Sequence, residues 1–325
     1  MLSIPIRLRR NRRTEAIRTM VQETELNAAD LIAPFFIIEG TNRSQPIHSL
    51  PGIERLSIDR LLVKIETLHR KGIQSIALFP VLENHLRTEG AQEAWNPEGL
   101  IPRAIRAIKK HIPSLCVIAD VALDPYTSHG HDGLVNAERE IMNDETIECL
   151  INMALIHAEA GVDFVAPSDM MDGRIKAIRE ALDRAGHSQV GLLAYSAKYA
   201  SSLYAPFREA LDVRLQFGDK KTYQLNPANV REALLEAKLD EEEGADILLV
   251  KPALFYLDII ARLREQTHRP IAAYHVSGEY AMVLAAGQLG YLDPAKVFLE
   301  ALLSIKRAGA DFIFTYAIDF VLAHM

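Results

Sequence analysis

Eight short apolar runs recur along the chain, separated by segments whose apolar residues fall at helical spacing, and this alternation restricts the available folds more than any other feature. The runs are Leu31–Ile38, Ser75–Val81, Cys116–Leu123, Phe164–Ser168, Val190–Ser196, Asp246–Val250, Ile271–Val276 and Asp311–Tyr316. They are continuous rather than alternating, as in Ile247-Leu248-Leu249-Val250, which is the pattern of parallel strands buried on both faces. Between them, Leu61, Leu62, Ile65 and Leu68 predict a helix over Ile58–Arg70 with Ser57 as its N-cap. Asn229–Glu243 and Pro294–Ala308 read the same way, the second opening with proline in its first turn. A glycine stands between helix and strand at Lys71-Gly72-Ile73, Ala160-Gly161-Val162-Asp163, Glu243-Gly244-Ala245-Asp246 and Ala308-Gly309-Ala310-Asp311, where a left-handed residue can end the helix. A doubly wound open sheet would more readily carry a glycine-rich phosphate loop after its first strand, and none occurs. The prediction is therefore an α/β fold, a (β/α)8 TIM barrel over residues 26–325, preceded by an extended N-terminal arm over residues 1–25.

The arm is locally basic, with Arg7, Arg9, Arg10, Arg12, Arg13 and Arg18. No apolar core or small-residue cleavage site follows, which argues against a secretory signal. Docking on a neighbouring subunit is the favoured reading, with an amphipathic transit peptide as the alternative. Nucleic-acid binding is disfavoured, because the arm lacks interleaved aromatics and the chain carries a net charge of −7. Two isolated cysteines, Cys116 and Cys149, exclude a disulfide scaffold and suit a reducing, cytoplasmic setting. No apolar run is long enough to span a bilayer, so no membrane partner is expected.

Polar residues at the ends of the predicted strands carry the chemistry. Lys251 follows Ile247–Val250 directly, and Lys198 closes the preceding strand in Ala194-Tyr195-Ser196-Ala197-Lys198. At the mouth of a barrel a lysine is desolvated and a second ammonium repels it, and both effects favour the free amine that attacks a ketone. The plain alternative is that each lysine pairs with a carboxylate at the rim. Ser277 follows the seventh strand and Tyr316 closes the eighth; together they can offer two hydroxyls to one carboxylate, or can satisfy local backbone groups instead. Two connections exceed ordinary loop length: Asp124–Glu140 after the third strand and Tyr199–Asn226 after the fifth. The second carries Arg208, Lys220, Lys221 and Gln224, which suit capture of an anionic substrate or, more simply, a solvated surface. The first is rich in carboxylate and imidazole, with Asp124, Asp132, His129 and His131, a composition that suits proton transfer, a hard cation or plain turn formation.

Four segments then resemble signatures of the porphobilinogen synthase (5-aminolevulinate dehydratase) family: Tyr195-Ser196-Ala197-Lys198-Tyr199-Ala200-Ser201, Leu249-Val250-Lys251-Pro252, Tyr274-His275-Val276-Ser277-Gly278-Glu279-Tyr280 and Ala166-Pro167-Ser168-Asp169-Met170-Met171-Asp172-Gly173. The resemblance implies that two molecules of 5-aminolevulinate condense, with loss of two waters, to porphobilinogen, the pyrrole used for tetrapyrroles. It implies that Lys251 forms an imine with one substrate molecule, whose carboxylate sits on Ser277 and Tyr316. Lys198 would bind the other, whose carboxylate is held by Arg208 and Lys220 with Gln224 nearby.

The resemblance also carries expectations about metals and assembly. Zinc-dependent members look like cysteine at the positions of Ala122, Asp124 and Asp132, so no catalytic Zn2+ is expected here. Asp124 and Asp132 are left as proton relays, through an ordered water or a weakly held monovalent cation. Glu236, fifteen residues before Lys251, stands where magnesium-responsive members anchor an allosteric Mg2+. A homo-octamer built through the arms, in exchange with a smaller assembly under magnesium control, completes the expectation. The rival readings are a phosphosugar aldolase on the same fold and a non-catalytic barrel.

Overall fold

In the computed structural model, which describes residues 4–324, the eight runs form one closed parallel sheet. Its strands are β1 (Leu31–Ile37), β2 (Ser75–Pro80), β3 (Cys116–Val121), β4 (Phe164–Pro167), β5 (Gly191–Lys198), β6 (Ile247–Lys251), β7 (Ile271–His275) and β8 (Phe312–Thr315). Each pairs with the next, and β8 returns to β1 through Leu31 opposite Ile313, which closes the barrel. Strand β5 extends two residues beyond its predicted end because Ala197 and Lys198 pair with Val250 and Lys251 of β6. Two short hairpins, Ser44–Pro46 with Glu54–Leu56 and Leu134–Val135 with Ile141–Met142, decorate the barrel and have no apolar signature in the sequence.

The helix predicted over Ile58–Arg70 has those bounds and turns Leu61, Ile65 and Leu68 into the core. Each such buried side chain stabilises the fold by about 1.5–3 kcal/mol relative to an exposed one. Ser57 stands at its N-cap but does not cap it. Its hydroxyl instead donates to Asp59 Oδ1 at 2.6 Å and accepts from the Arg43 amide at 2.9 Å, because the hairpin before the helix needs that partner. Asp293 caps Pro294–Ala308, accepting from the amides of Ala295 and Lys296. The helix expected over Asn229–Glu243 runs from Arg231 to Glu242.

The four glycine junctions have φ of +99°, +96°, +108° and +120°, the left-handed region in which a Cβ is strained. The aspartate two residues after three of these glycines has a structural purpose. Asp163, Asp246 and Asp311 each accept a backbone N–H at or near the start of a neighbouring strand, from Val117, Leu192 and Ile271, at 2.7–2.8 Å. The repeat thus satisfies donors at the end of the barrel away from the long loops.

The segment ahead of the barrel carries a 3-10 turn (Leu8–Arg12) and a short helix (Glu15–Met20) capped by Thr14, rather than an uninterrupted extended chain. Neither buries a residue against the barrel, and Ile6, Leu8 and Met20 are exposed. The arm expectation also covers residues 1–3, which lie outside the described residues, as does residue 325. Among the described residues no helix is long and apolar enough to cross a membrane.

Candidate active site

The strands bring Lys198 and Lys251 directly opposite each other on β5 and β6, at the end of the barrel where the long connections lie. Both are buried, but their surroundings differ. The Lys251 amine makes no hydrogen bond or ion pair among the described residues. It stands 4.5 Å from the ring centre of Tyr274, 4.8 Å from Phe207, 5.1 Å from Tyr195 and 5.2 Å from Tyr204. Burial, and then repulsion from Lys198, pull this lysine down to about 7, against the opposing pull of Asp120, Asp124 and Asp132. Near neutrality a large share of Lys251 is the free amine. Lys198 is an ion-paired lysine: its Nζ lies 3.5 Å from Asp132 Oδ2 and donates to the Ser168 carbonyl.

The loop after β3 and the loop after β5 meet over these lysines. Lys220 Nζ lies 2.7 Å from Asp132 Oδ1 and 3.1 Å from Asp124 Oδ2, while Gln224 Nε2 reaches Asp132 Oδ2 at 3.5 Å. Burial alone would raise the Asp132 carboxyl, but Lys198 and Lys220 outweigh it and hold it at about 2. Asp124 is raised by burial despite Lys220. Lys220 was expected chiefly as a clamp for a substrate carboxylate. Here its ammonium is neutralised by two aspartates, since a buried ammonium requires counter-charge. Arg208 lines the cavity without an ion pair among the described residues, so its guanidinium is the cation left to meet an incoming anion.

Ser277 and Tyr316 stand just past the ends of β7 and β8, yet neither borders the open cavity. Ser277 Oγ accepts from the Phe207 amide at 3.0 Å and donates to Leu203 O at 3.2 Å. Tyr316 and Tyr274 share a hydroxyl–hydroxyl bond of 3.0 Å. In this state both hydroxyls serve neighbouring protein groups. Glu236 lies on Arg231–Glu242 outside the barrel mouth, facing a second cavity that Asp172, Asn143 and Glu232 also line.

Asp120 was not singled out from the sequence. It lies inside β3, borders the cavity, and is pushed up to about 7, first by burial and then by Asp124. A lone carboxylate inside the apolar run Cys116–Leu123 was the signal that marks it. The aromatic wall from Tyr204 and Phe207 was also missed, because its residues lie in the long β5 loop. The cavity and its open mouth together leave about 830 Å3 of space between atoms.

Two buried lysines in register at the mouth of a closed parallel barrel are an arrangement suited to a lysine-dependent barrel enzyme. Comparison with known proteins narrows this class. The family model "Delta-aminolevulinic acid dehydratase" matches residues 5–323. A delta-aminolevulinic acid dehydratase of Chlamydia pneumoniae is 53% identical over 321 residues, covering 99% of this chain and 96% of its own. The chloroplastic delta-aminolevulinic acid dehydratase of Physcomitrium patens is 54% identical over 97% of this chain and 73% of its own. The crystal structure of delta-aminolevulinic acid dehydratase (porphobilinogen synthase) from Toxoplasma gondii, in complex with the reaction product porphobilinogen, superposes with a TM-score of 0.98 at 49% identity, covering 100% of this chain and 93% of that one. The chain belongs to the delta-aminolevulinic acid dehydratase family.

Proposed function

We propose that the chain condenses two molecules of 5-aminolevulinate to porphobilinogen, releasing two waters. The single observation that carries the reading is the unpaired, desolvated Lys251 amine set in register with Lys198. The free amine attacks the ketone carbon of one substrate molecule, and the carbinolamine loses water to give an imine. Lys198 engages the second molecule, its ammonium held ready by Asp132. The condensation needs groups that release and take up protons near neutrality. Asp120, poised at about 7, is suited to that, with Asp124 and Asp132 as the relay beside it. Arg208 receives the second substrate's carboxylate, with Lys220 and Gln224 beneath it. For the first carboxylate, Ser277 must exchange Leu203 O for the ligand, with Tyr316 as the second hydroxyl. The test is direct: purified protein with 5-aminolevulinate should yield a pyrrole detectable with an aldehyde colour reagent, and its absence rejects the reading.

The donor set argues against catalytic zinc, since Ala122, Asp124 and Asp132 offer no thiolate and Lys220 already stands between the two carboxylates. A monovalent cation is the weaker alternative there. Glu236 suits an allosteric magnesium ion. Burial first, with Asp240, Asp172 and Glu232 adding repulsion, raises its carboxyl to about 7 despite Arg174, so a cation would be welcome. Magnesium keeps most of its waters, which fits one anchoring carboxylate with outer-shell partners.

The exposed apolar and arginine side chains of the arm suit a homo-octamer built through arm contacts. The free cysteines suit a reducing cytoplasm.

A further inference from the structure

The β5 loop and the helix after β7 meet backbone to backbone at Leu203 and Gly278. Helix Ser277–Gln288 begins one residue after β7, and its second residue is Gly278. A Cβ on Gly278 would stand 2.5 Å from Leu203 O and 2.7 Å from Leu203 Cα, closer than real side chains come. One residue earlier, Ser277 Oγ bridges the same loop, accepting from Phe207 N at 3.0 Å and donating to Leu203 O at 3.2 Å. The residues flanking this contact on the loop are Tyr204 and Phe207, which close over the Lys251 amine at 5.2 and 4.8 Å. Tyr204 Oη also donates to Lys251 O at 3.1 Å.

We propose that the Ser277–Gly278 dock positions the roof over Lys251, with the bare face of Gly278 letting the β5 loop sit low enough for Tyr204 and Phe207 to exclude water from the amine. Gly278 is then a positioning residue acting through Lys251, and the proposal rests on Lys251 as the imine-forming amine. The groups facing that amine are Lys198 and Tyr195 from β5, Asp120 from β3, Asp124 and Asp132 from the loop after it, Tyr204 from the β5 loop and Tyr274 from β7. Arg208 and Lys220 of the β5 loop border the same cavity, but the charges that act most on the amine, Lys198, Asp120, Asp124 and Asp132, sit on strands or on the β3 loop. The dock therefore governs one contribution above all, the burial that is the first cause of the lowered lysine. Raising the roof readmits water and returns the lysine toward its ordinary, higher range.

The test uses Gly278→Ala in the full chain. Alanine is the better helix former, so the substitution acts through the loop rather than by weakening its own helix. The readout is the pH dependence of reductive alkylation at Lys251 by acetone and cyanoborohydride, mapped by peptide mass. The amine adds to the ketone, water leaves to give the imine, and hydride reduces it to isopropyl-lysine. Acetone has no carboxylate, so any loss of the Ser277 clamp does not enter the measurement. The labelling midpoint, near 7 in the parent, should rise by about one pH unit, which cuts labelling at neutrality about fivefold. Ser277→Ala removes the bridge without adding bulk and should shift the midpoint the same way by less; it carries the test if circular dichroism shows Gly278→Ala unfolded. Unshifted midpoints in the folded variants overturn the dock. A parent in which Lys251 is unlabelled at every pH overturns the imine reading itself, and the dock with it.

Discussion

Replacing Lys220 by methionine keeps most of the side chain's unbranched length and removes its charge from between two buried carboxylates. Its ammonium lies 2.7 Å from Asp132 and 3.1 Å from Asp124, with side-chain exposures of 12% for Lys220, 0% for Asp132 and 13% for Asp124. Solvent does little to screen charges so placed, and breaking a buried pair of this kind costs about 3–5 kcal/mol. The Asp132 carboxyl gives a partial check. Held at about 2 against an ordinary 3.8, it contributes about 2 kcal/mol, fully present above the ordinary value and lost as pH falls through 2. Lys198 still supports Asp132 at 3.5 Å, which puts the expected deficit at the lower end, about 3 kcal/mol near neutral pH. Urea unfolding at fixed protein concentration measures it. The deficit should narrow on acidification, as Asp124, whose carboxyl burial raises, takes up a proton and relieves the repulsion. A variant as stable as the parent near neutrality, or a deficit unchanged on acidification, would refute this account of the loop junction.

Asp120→Asn should lower kcat by about 10²–10⁴-fold with a smaller change in KM, if Asp120 moves a proton in the reaction. The same variant should be more stable than the parent above about pH 7 and gain little near pH 4, because a carboxyl raised to about 7 makes the fold less stable as pH rises from 3.8 through that value. Steady-state kinetics and unfolding at the two pH values check both halves. A zinc-selective chelator should leave activity intact, whereas magnesium restored after EDTA treatment should raise it in the parent and not in Glu236→Gln. Sizing the parent with and without magnesium should shift its elution volume, and an unmoved peak counts against control of assembly by the ion.

The barrel was legible because its strands are buried on both faces, which leaves uninterrupted runs such as Ile247–Val250 with little room for another reading. The glycine junctions were legible because a left-handed residue is needed wherever these helices turn back into the sheet. The two short hairpins were not, since strands of two or three residues at the surface impose no period. Lys198 and Lys251 could be assigned to the mouth from their places at strand ends. Their unequal environments could not, because they depend on Asp132, Phe207 and Tyr204, which the long loops bring in. Ser277 makes the same point: its position was readable, but its bond to the Phe207 amide joins residues seventy apart and exists only once the loop has docked. Lys220 was read as part of a carboxylate clamp, and its contacts with Asp124 and Asp132 could not be foreseen because two distant loops bring them together.

The central claim is that one amine, Lys251, is the nucleophile. Incubation with 5-aminolevulinate, borohydride reduction and peptide mapping should place the covalent label on Lys251, and Lys251→Ala should neither take that label nor turn over. A label confined to another residue, or pyrrole production by Lys251→Ala at the parent's rate, would contradict it.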